Sequence, residues 1–124
     1  MTVEAMSERI RAAYEQADLD GFAELLAEDV RWGDDEHPNR CRNRDDVLST
    51  FAAWVGAGVS AKVTALDIGP QGVACKLHVE WAAPNDRARG VNFWHVFLIH
   101  GGQITEIRRS NDAKSAQQAI QAQP

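Results

Sequence analysis

The chain changes its hydrophobic period once, near Gly58, and this change constrains the fold more than any other feature. Before it, apolar residues recur every three or four positions, as at Met6, Ile10 and Tyr14, which is the spacing of an amphipathic helix. After it, apolar and polar residues alternate, most cleanly over residues 73–81, which is typical of a half-buried strand. The sequence therefore predicts helices first and strands last, which is the α+β class of fold.

Three helices and five strands follow from this pattern. The helices are predicted over residues 3–17, over a shorter stretch between Asp18 and Asp29, and over residues 44–55 after a capping box at Asn43 and Asp46. The strands are predicted over residues 30–32, 59–68, 73–81, 91–100 and 103–111. Short turns between the last four strands favour an antiparallel sheet. We expect one domain over residues 1–112, then a polar Ala/Gln-rich tail over 113–124 that is either a marginal helix or a frayed end.

Composition excludes several classes of partner. The net charge of -5 and pI of about 5.3 argue against nucleic acid, because phosphate binding usually needs a basic stripe. Cys41 and Cys75 form neither a CxxC pair nor a disulfide framework. The N-terminal residues do not resemble a signal peptide, and no apolar run approaches the roughly 20 residues that span a membrane. We therefore expect a cytoplasmic protein with free thiols and no membrane partner.

The register of the last hairpin decides which side chains share a face, since a one-residue slip inverts all of them. A strict two-residue turn at Gly101-Gly102 puts His95 with Glu106 and Arg108. A three-residue loop with a bulge at Gly102 instead puts five side chains together on the face that the helices cover. They are Phe93, His95, Phe97, Ile107 and Arg109. We prefer the second arrangement because its set is the more apolar.

The opposite face of the fourth strand is also apolar, at Trp94, Val96 and Leu98. A sheet that helices cover on one side only normally carries polar residues on the other. A second copy of the chain would cover this face, so we expect a homodimer through the outer sheet face. The alternative is that the C-terminal tail or a loop covers it.

Two segments resemble the nuclear transport factor 2-like superfamily, and the SnoaL-like polyketide cyclase and ketosteroid isomerase-like branch within it. They are the run ADLDGFAELLAEDV at residues 17–30 and the closing hairpin FWHVF to GGQITEI between Phe93 and Ile107. The resemblance covers nearly the whole chain. It implies a cone, in which a curved sheet wraps a long first helix and encloses a mostly apolar pocket. Members include isomerases, cyclases, hydrolases, dehydratases and domains without catalysis, so the fold does not determine the function.

The resemblance also assigns roles to individual positions. Asp34 falls where the isomerases carry their general base, and His95 falls where they carry a protonated acid in the oxyanion hole. Their helix-one tyrosine would fall on Ile10, while Tyr14 lies one turn further on. This departure argues against steroid isomerase chemistry.

The residues themselves support catalytic roles for Asp34 and His95, each with an alternative. Asp34 shares strand parity with Trp32, so it is either an inward carboxylate with a raised pKa or a solvated loop residue. His95 is either a proton-transfer or oxyanion-binding group or a buried histidine with a local hydrogen bond. Arg109 either binds a substrate carboxylate or forms an internal ion pair.

Further candidates for substrate binding are Trp32, Phe93, Phe97, Asn111 and Tyr14. Trp54 and Trp81 are expected in the core or the pocket wall. His37 and Cys41 have no further converging ligands in the sequence, so we expect no metal. The absence of nucleotide-binding and nucleophile-elbow motifs leads us to expect no cofactor.

Two functional hypotheses follow. In the first, the protein binds a small apolar organic molecule in the cone and is a cofactor-independent proton-transfer enzyme, namely an isomerase, cyclase, hydrolase or dehydratase. In the second, it is a non-catalytic ligand-binding or dimerisation module of the same fold.

Overall fold

A computed structural model describes residues 1–33, 40–82 and 88–121 of the chain. Over these residues the helices are α1 (Val3–Glu15), α2 (Leu19–Ala23), α3 (Arg44–Gly56) and α4 (Ala113–Gln121). The strands are β1 (Leu26–Gly33), β2 (Ser60–Gly69), β3 (Gly72–Ala82), β4 (Ala88–His100) and β5 (Gln103–Ser110). The predicted α+β class, with helices first and a curved sheet after them, is confirmed.

The N-terminal helices begin at residues whose side chains replace missing backbone partners. The hydroxyl of Thr2 accepts a hydrogen bond from Ala5 N at 3.1 Å at the start of α1. The amide oxygen of Asn43 accepts one from Asp46 N at 2.9 Å at the start of α3, as predicted.

The second helix is shorter than predicted, because residues 26–29 belong to strand β1 instead. The backbone of Leu25 accepts a hydrogen bond from Ile104 N at 2.7 Å, and Leu26 pairs with Ile104 in the ladder. Pairing with β5, which is distant in sequence, therefore overrides the local helical pattern.

The five strands form one curved, unclosed sheet in the order β1-β5-β4-β3-β2. The pairs β2–β3, β3–β4 and β4–β5 are antiparallel, as predicted, whereas β1 runs parallel to β5 at one edge. The register shifts within the β1–β5, β2–β3 and β4–β5 pairs. Such irregularities bend strands and increase twist, so they contribute to the curvature that leaves a concave face for the helices.

The last hairpin combines features of both predicted arrangements. Gly101 and Gly102 form a two-residue turn with φ values of 61° and 77°, which a glycine pair adopts readily. The extra residue is Thr105 in β5, between the partners of Leu98 and Ile99, and not Gly102. This bulge restores the preferred faces, since His95 pairs with Arg109 and Phe97 with Ile107.

Two hydrophobic clusters lie on opposite faces of the sheet. The larger one packs α1, α2 and α3 against the concave face and contains Ile10, Phe22, Phe51, Leu77 and Phe97 among its buried members. The smaller one lies on the convex face, where Ala116 and Ile120 of α4 pack on Trp94, Val96 and Ala74.

Helix α4 thus covers the apolar outer face that suggested a homodimer. Trp94 is 6% exposed and Val96 1% exposed in the single chain. Burial of these residues does not require a second copy, and the alternative cover, the C-terminal tail, is the one present. A homodimer stays a prediction.

In the described part of the chain, no helix has the length and apolar character needed to cross a membrane.

We expect Ile120→Ala to lower the free energy of unfolding by about 2–4 kcal/mol, because it opens a cavity between α4 and the sheet. Gln118→Ala, on the exposed side of the same helix, should change it by less than about 0.5 kcal/mol. Urea unfolding followed by fluorescence measures both. Equal effects of the two substitutions would show that α4 does not pack as described.

Candidate functional site

A buried hydrogen bond between helix α1 and strand β4 organises the site. The hydroxyl of Tyr14 lies 2.5 Å from Nδ1 of His95, although the two residues are 81 positions apart in sequence. Both side chains are in the protein interior, with exposed fractions of 8% and 1%. Each is a polar group on an otherwise apolar face, and each supplies the hydrogen-bond partner that the other needs when buried.

The direction of this bond defines the histidine tautomer. If Tyr14 accepted a hydrogen bond from Nδ1–H, the buried hydrogen of its own hydroxyl would need a second acceptor. The side-chain partner of this hydroxyl in the described structure is His95. We therefore assign the phenol as the donor and Nδ1 as the acceptor. The hydrogen of the neutral ring then resides on Nε2, which is free to act as a donor.

Burial keeps both partners uncharged at neutral pH. Burial, with a smaller contribution from the positive charge of Arg109, lowers the pKa of His95 to about 3. Burial also raises the pKa of Tyr14 well above its ordinary value, with a smaller contribution from Cys75. The site therefore offers a neutral imidazole N–H and not an imidazolium cation.

His95 lines a pocket of about 320 Å³ at the concave face of the sheet, which is near the lower end of the size range of small-molecule sites. The described lining consists mostly of aromatic and aliphatic side chains, with two arginines: Trp32, Gly33, Arg40, Trp54, Val59, Val79, Trp81, Val91, Phe93, His95 and Arg109. This composition suits a small, largely apolar ligand with few polar groups.

Aromatic rings hold the imidazole in place. Trp32 meets it edge-on at 5.2 Å between ring centroids, and Phe93 does so at 4.9 Å. Trp54, from α3, lies nearly parallel to it at 6.2 Å and 20°. These contacts exclude water around His95 and restrict the orientation of its ring.

The two arginines reach the pocket from different parts of the chain. Arg109 is the ladder partner of His95, and its guanidinium carbon lies 4.3 Å from the centre of the Phe93 ring. Arg40 precedes Cys41, whose backbone exchanges two hydrogen bonds with Trp32 at 2.9 and 3.0 Å. That bridge fixes the backbone beside Arg40 to the strand that carries Trp32.

The structure brings together several of the predicted site residues and separates others. Trp32, Phe93, His95 and Arg109 all line the pocket, whereas Asp34 lies outside the described residues. The remaining predictions fall elsewhere: Tyr14 is behind His95, Phe97 is in the core against Tyr14 and Phe22, and Asn111 is exposed after the end of β5. These three residues do not belong to the described pocket lining. Tyr14 would therefore influence a ligand only through its hydrogen bond to His95.

The contact between Tyr14 and His95 was not predicted, although the sequence contains a signal for it. Tyr14 lies on the buried stripe of α1, and a buried phenol normally has a hydrogen-bond partner. The same holds for His95 on an inward strand position. Arg40 was not among the predicted site residues.

Among the described residues, no group of three or more His, Cys, Asp and Glu side chains is placed to bind a metal. His78 is half-buried on β3, where its ring contacts Glu80 at 2.8 Å and Asn92 at 3.0 Å. The hydrogen bond to Glu80 raises its pKa.

Helices packed on the concave face of an unclosed sheet, around an apolar pocket, define a class of small α+β pocket proteins. The SnoaL-like domain family matches residues 7–107, and the chain belongs to that family. No curated protein matches the chain closely.

Solved structures share this fold at low sequence identity. An NTF2-like protein of unknown function from Burkholderia pseudomallei is 19% identical with a TM-score of 0.70, and the match covers 98% of this chain and 100% of that one. A Jannaschia protein provisionally named a SnoaL-like polyketide cyclase is 14% identical with a TM-score of 0.70, covering 100% and 97%. An uncharacterised cystatin-fold protein from Novosphingobium aromaticivorans is 16% identical with a TM-score of 0.73, covering 88% and 97%. The predicted nuclear transport factor 2-like superfamily and its SnoaL-like branch are confirmed.

We expect His95 to remain neutral, with its hydrogen on Nε2, throughout the range from pH 5 to pH 8, while His78 titrates above its ordinary pKa of 6.5. Imidazole ¹⁵N chemical shifts measure both rings in one sample. Since the folded pKa of His95 lies below the unfolded value, its contribution to stability is complete above about pH 6.5 and is lost as the pH falls towards 3. A titration of His95 near pH 6.5 would contradict the assignment.

We expect Tyr14→Phe to lower the free energy of unfolding by about 1–3 kcal/mol, because it leaves Nδ1 of His95 buried without a partner. In the His95→Phe background the same substitution should cost much less, since no acceptor remains. A double-mutant cycle by urea unfolding measures the coupling. Additive effects would mean that the two side chains do not interact.

Proposed function

We propose that this protein binds a small, largely apolar carbonyl compound in the pocket and catalyses proton transfer on it without a cofactor. The observation that carries the proposal is the Tyr14–His95 pair, which holds a neutral imidazole in the wall of an aromatic pocket. Isomerisation, cyclisation, hydrolysis and dehydration all include such a step. The provisional name of the Jannaschia protein, a polyketide cyclase, is compatible with chemistry of this kind.

In this proposal His95 is the electrophilic group. Its Nε2–H donates a hydrogen bond to the carbonyl oxygen of the ligand, and the bond strengthens as that oxygen becomes negative when a neighbouring C–H loses its proton. A neutral imidazole with a depressed pKa is suited to this role, because it donates without carrying a charge beforehand. Tyr14 is a positioning residue, since its bond to Nδ1 keeps the hydrogen on Nε2.

The base in this proposal is Asp34, as the family resemblance implies. Asp34 lies outside the described residues, and Gly33, which precedes it, lines the pocket. His95 is a poor candidate for the base, because a pKa of about 3 makes its free nitrogen a weak proton acceptor. In an isomerisation or an intramolecular cyclisation, Asp34 would take the proton from carbon and return it to another atom of the same ligand, so no oxidant or co-reactant is needed.

A second candidate function is ligand binding without catalysis. It is favoured by one observation: the described part of the pocket lining contains no carboxylate and no other strong base. The same pocket would then bind the same class of compound, with His95 as a hydrogen-bond donor to its oxygen.

Exchange of α-hydrogens for deuterium in D₂O distinguishes the two functions without knowledge of the natural reaction. With 2-tetralone as the probe, we expect the protein to accelerate exchange over buffer. His95→Phe should lower the accelerated rate by about 100- to 1,000-fold, the usual cost of losing one oxyanion donor. Asp34→Asn should lower it at least as much, because the base is lost.

The matched control is His78→Phe, which removes a half-buried histidine that does not line the pocket and should leave the exchange rate unchanged. If His95→Phe and Asp34→Asn both keep the full rate, the catalytic assignment is wrong. If the wild type binds 2-tetralone but does not accelerate exchange, the non-catalytic function is the correct one.

A further inference from the structure

The pocket is apolar over most of its wall, yet two cationic side chains enter it. Arg109 and Arg40 both belong to its lining, in a chain whose net charge is -5. Both arginines are exposed in the free protein, where water satisfies their N–H groups, and a ligand carboxylate at the pocket would be able to replace that water. The chemistry of a preferred ligand can therefore be inferred from these two residues.

Arg109 is held in a defined orientation. Its guanidinium lies over the ring of Phe93, at 4.3 Å from the ring centre. Stacking of this kind uses the flat face of the guanidinium and leaves its edge, which carries the N–H donors, for an acceptor. Because stacking already restricts the side chain, less conformational entropy is lost when a planar acceptor binds.

The neighbouring Arg108 shows the contrast. It points to the other side of β5, where Glu106 accepts two hydrogen bonds from it at 2.9 and 3.0 Å. The ion pairs of the described residues are Arg9–Glu24, His78–Glu80 and Arg108–Glu106, and Arg109 takes part in none of them. Among the described residues, Arg108 thus has a carboxylate partner, whereas Arg109 lines the pocket.

Arg109 and His95 also stand opposite each other in the β4–β5 ladder, where Cα atoms lie about 4.5–5.5 Å apart. A neutral N–H donor and a cationic donor therefore share one end of the pocket wall. A ligand that satisfies both would carry a neutral oxygen acceptor and an anionic group a few bonds apart on one ring system.

We propose that the pocket selects oxo acids: compact cyclic or aromatic carbonyl compounds with a carboxylate that pairs with Arg109, assisted by Arg40, while the carbonyl oxygen accepts from His95. This inference rests on the proposed function and narrows its substrate class. Carboxylates pair with arginine through two parallel hydrogen bonds, which gives geometric selectivity as well as affinity.

The probes are 3-acetylbenzoate and its neutral analogue 3-acetylbenzamide, which have the same shape and carbonyl group. Binding is measured from the indole N–H signals in ¹H–¹⁵N spectra. Of the four tryptophans, Trp32, Trp54 and Trp81 line the pocket, while Trp94 lies under α4 on the other face of the sheet. Shifts of the first three with Trp94 unchanged identify binding in the pocket.

We expect wild-type protein to bind the benzoate about tenfold or more tightly than the benzamide, the usual effect of one charge-assisted contact. Arg109→Gln should remove most of this preference, because the benzoate loses its charged partner. Arg108→Gln, the matched control, should leave the preference intact. In 1 M NaCl the wild-type preference should shrink, because salt screens a partly exposed charge.

Equal binding of the two probes, with the three indole signals shifting, would overturn the carboxylate inference and leave the proposed pocket function standing. A preference that survives Arg109→Gln would also overturn it. If neither probe shifts the three signals, both the inference and the proposed function fail.

Discussion

The hydrogen bond between Tyr14 and His95 is the interaction on which the site depends. It joins the first helix to the fourth strand across the centre of the domain, where an unpaired polar group would cost about 1–3 kcal/mol. Both groups are therefore tolerated in the core only together. The pairing fixes how α1 sits in the concave sheet, and it determines which nitrogen of the imidazole carries the hydrogen.

Local patterns were sufficient to predict most of the fold. The periodicity gave the first and third helices and the four antiparallel strands, and Asn43 marked the start of α3. The error in the second helix arose because a distant contact decides the structure: residues 26–29 join β1 because they pair with β5. The tail was left open between a helix and a frayed end, and it forms α4 because Ile120 and Ala116 bury an apolar strip of the sheet. Neither contact is visible in a window of ten or fifteen residues.

The site was less predictable than the fold. Strand parity was enough to put His95, Phe93 and Arg109 on one face once the hairpin register was chosen, but the choice was right for a different reason. The extra residue is Thr105, and a bulge within a strand has no clear sequence signature when the turn itself contains two glycines. Tyr14 was placed one turn from the family position, and only the three-dimensional path of α1 brings its hydroxyl to Nδ1 of His95.

A neutral His95 can lie beside the cationic Arg109 and beside an anionic ligand, because the pKa of His95 is lowered mainly by burial. Arg109 lowers the pKa of His95, but burial is the larger cause. A carboxylate that neutralises Arg109 would therefore weaken only the smaller effect, and the imidazole would stay neutral in the complex. If the charge of Arg109 were the main cause, binding of the anion would let the ring take up a proton, and Nδ1 could then no longer accept the hydrogen bond from Tyr14. Here burial in the aromatic wall is the main cause, so the anionic group and the carbonyl group of one ligand can be recognised side by side.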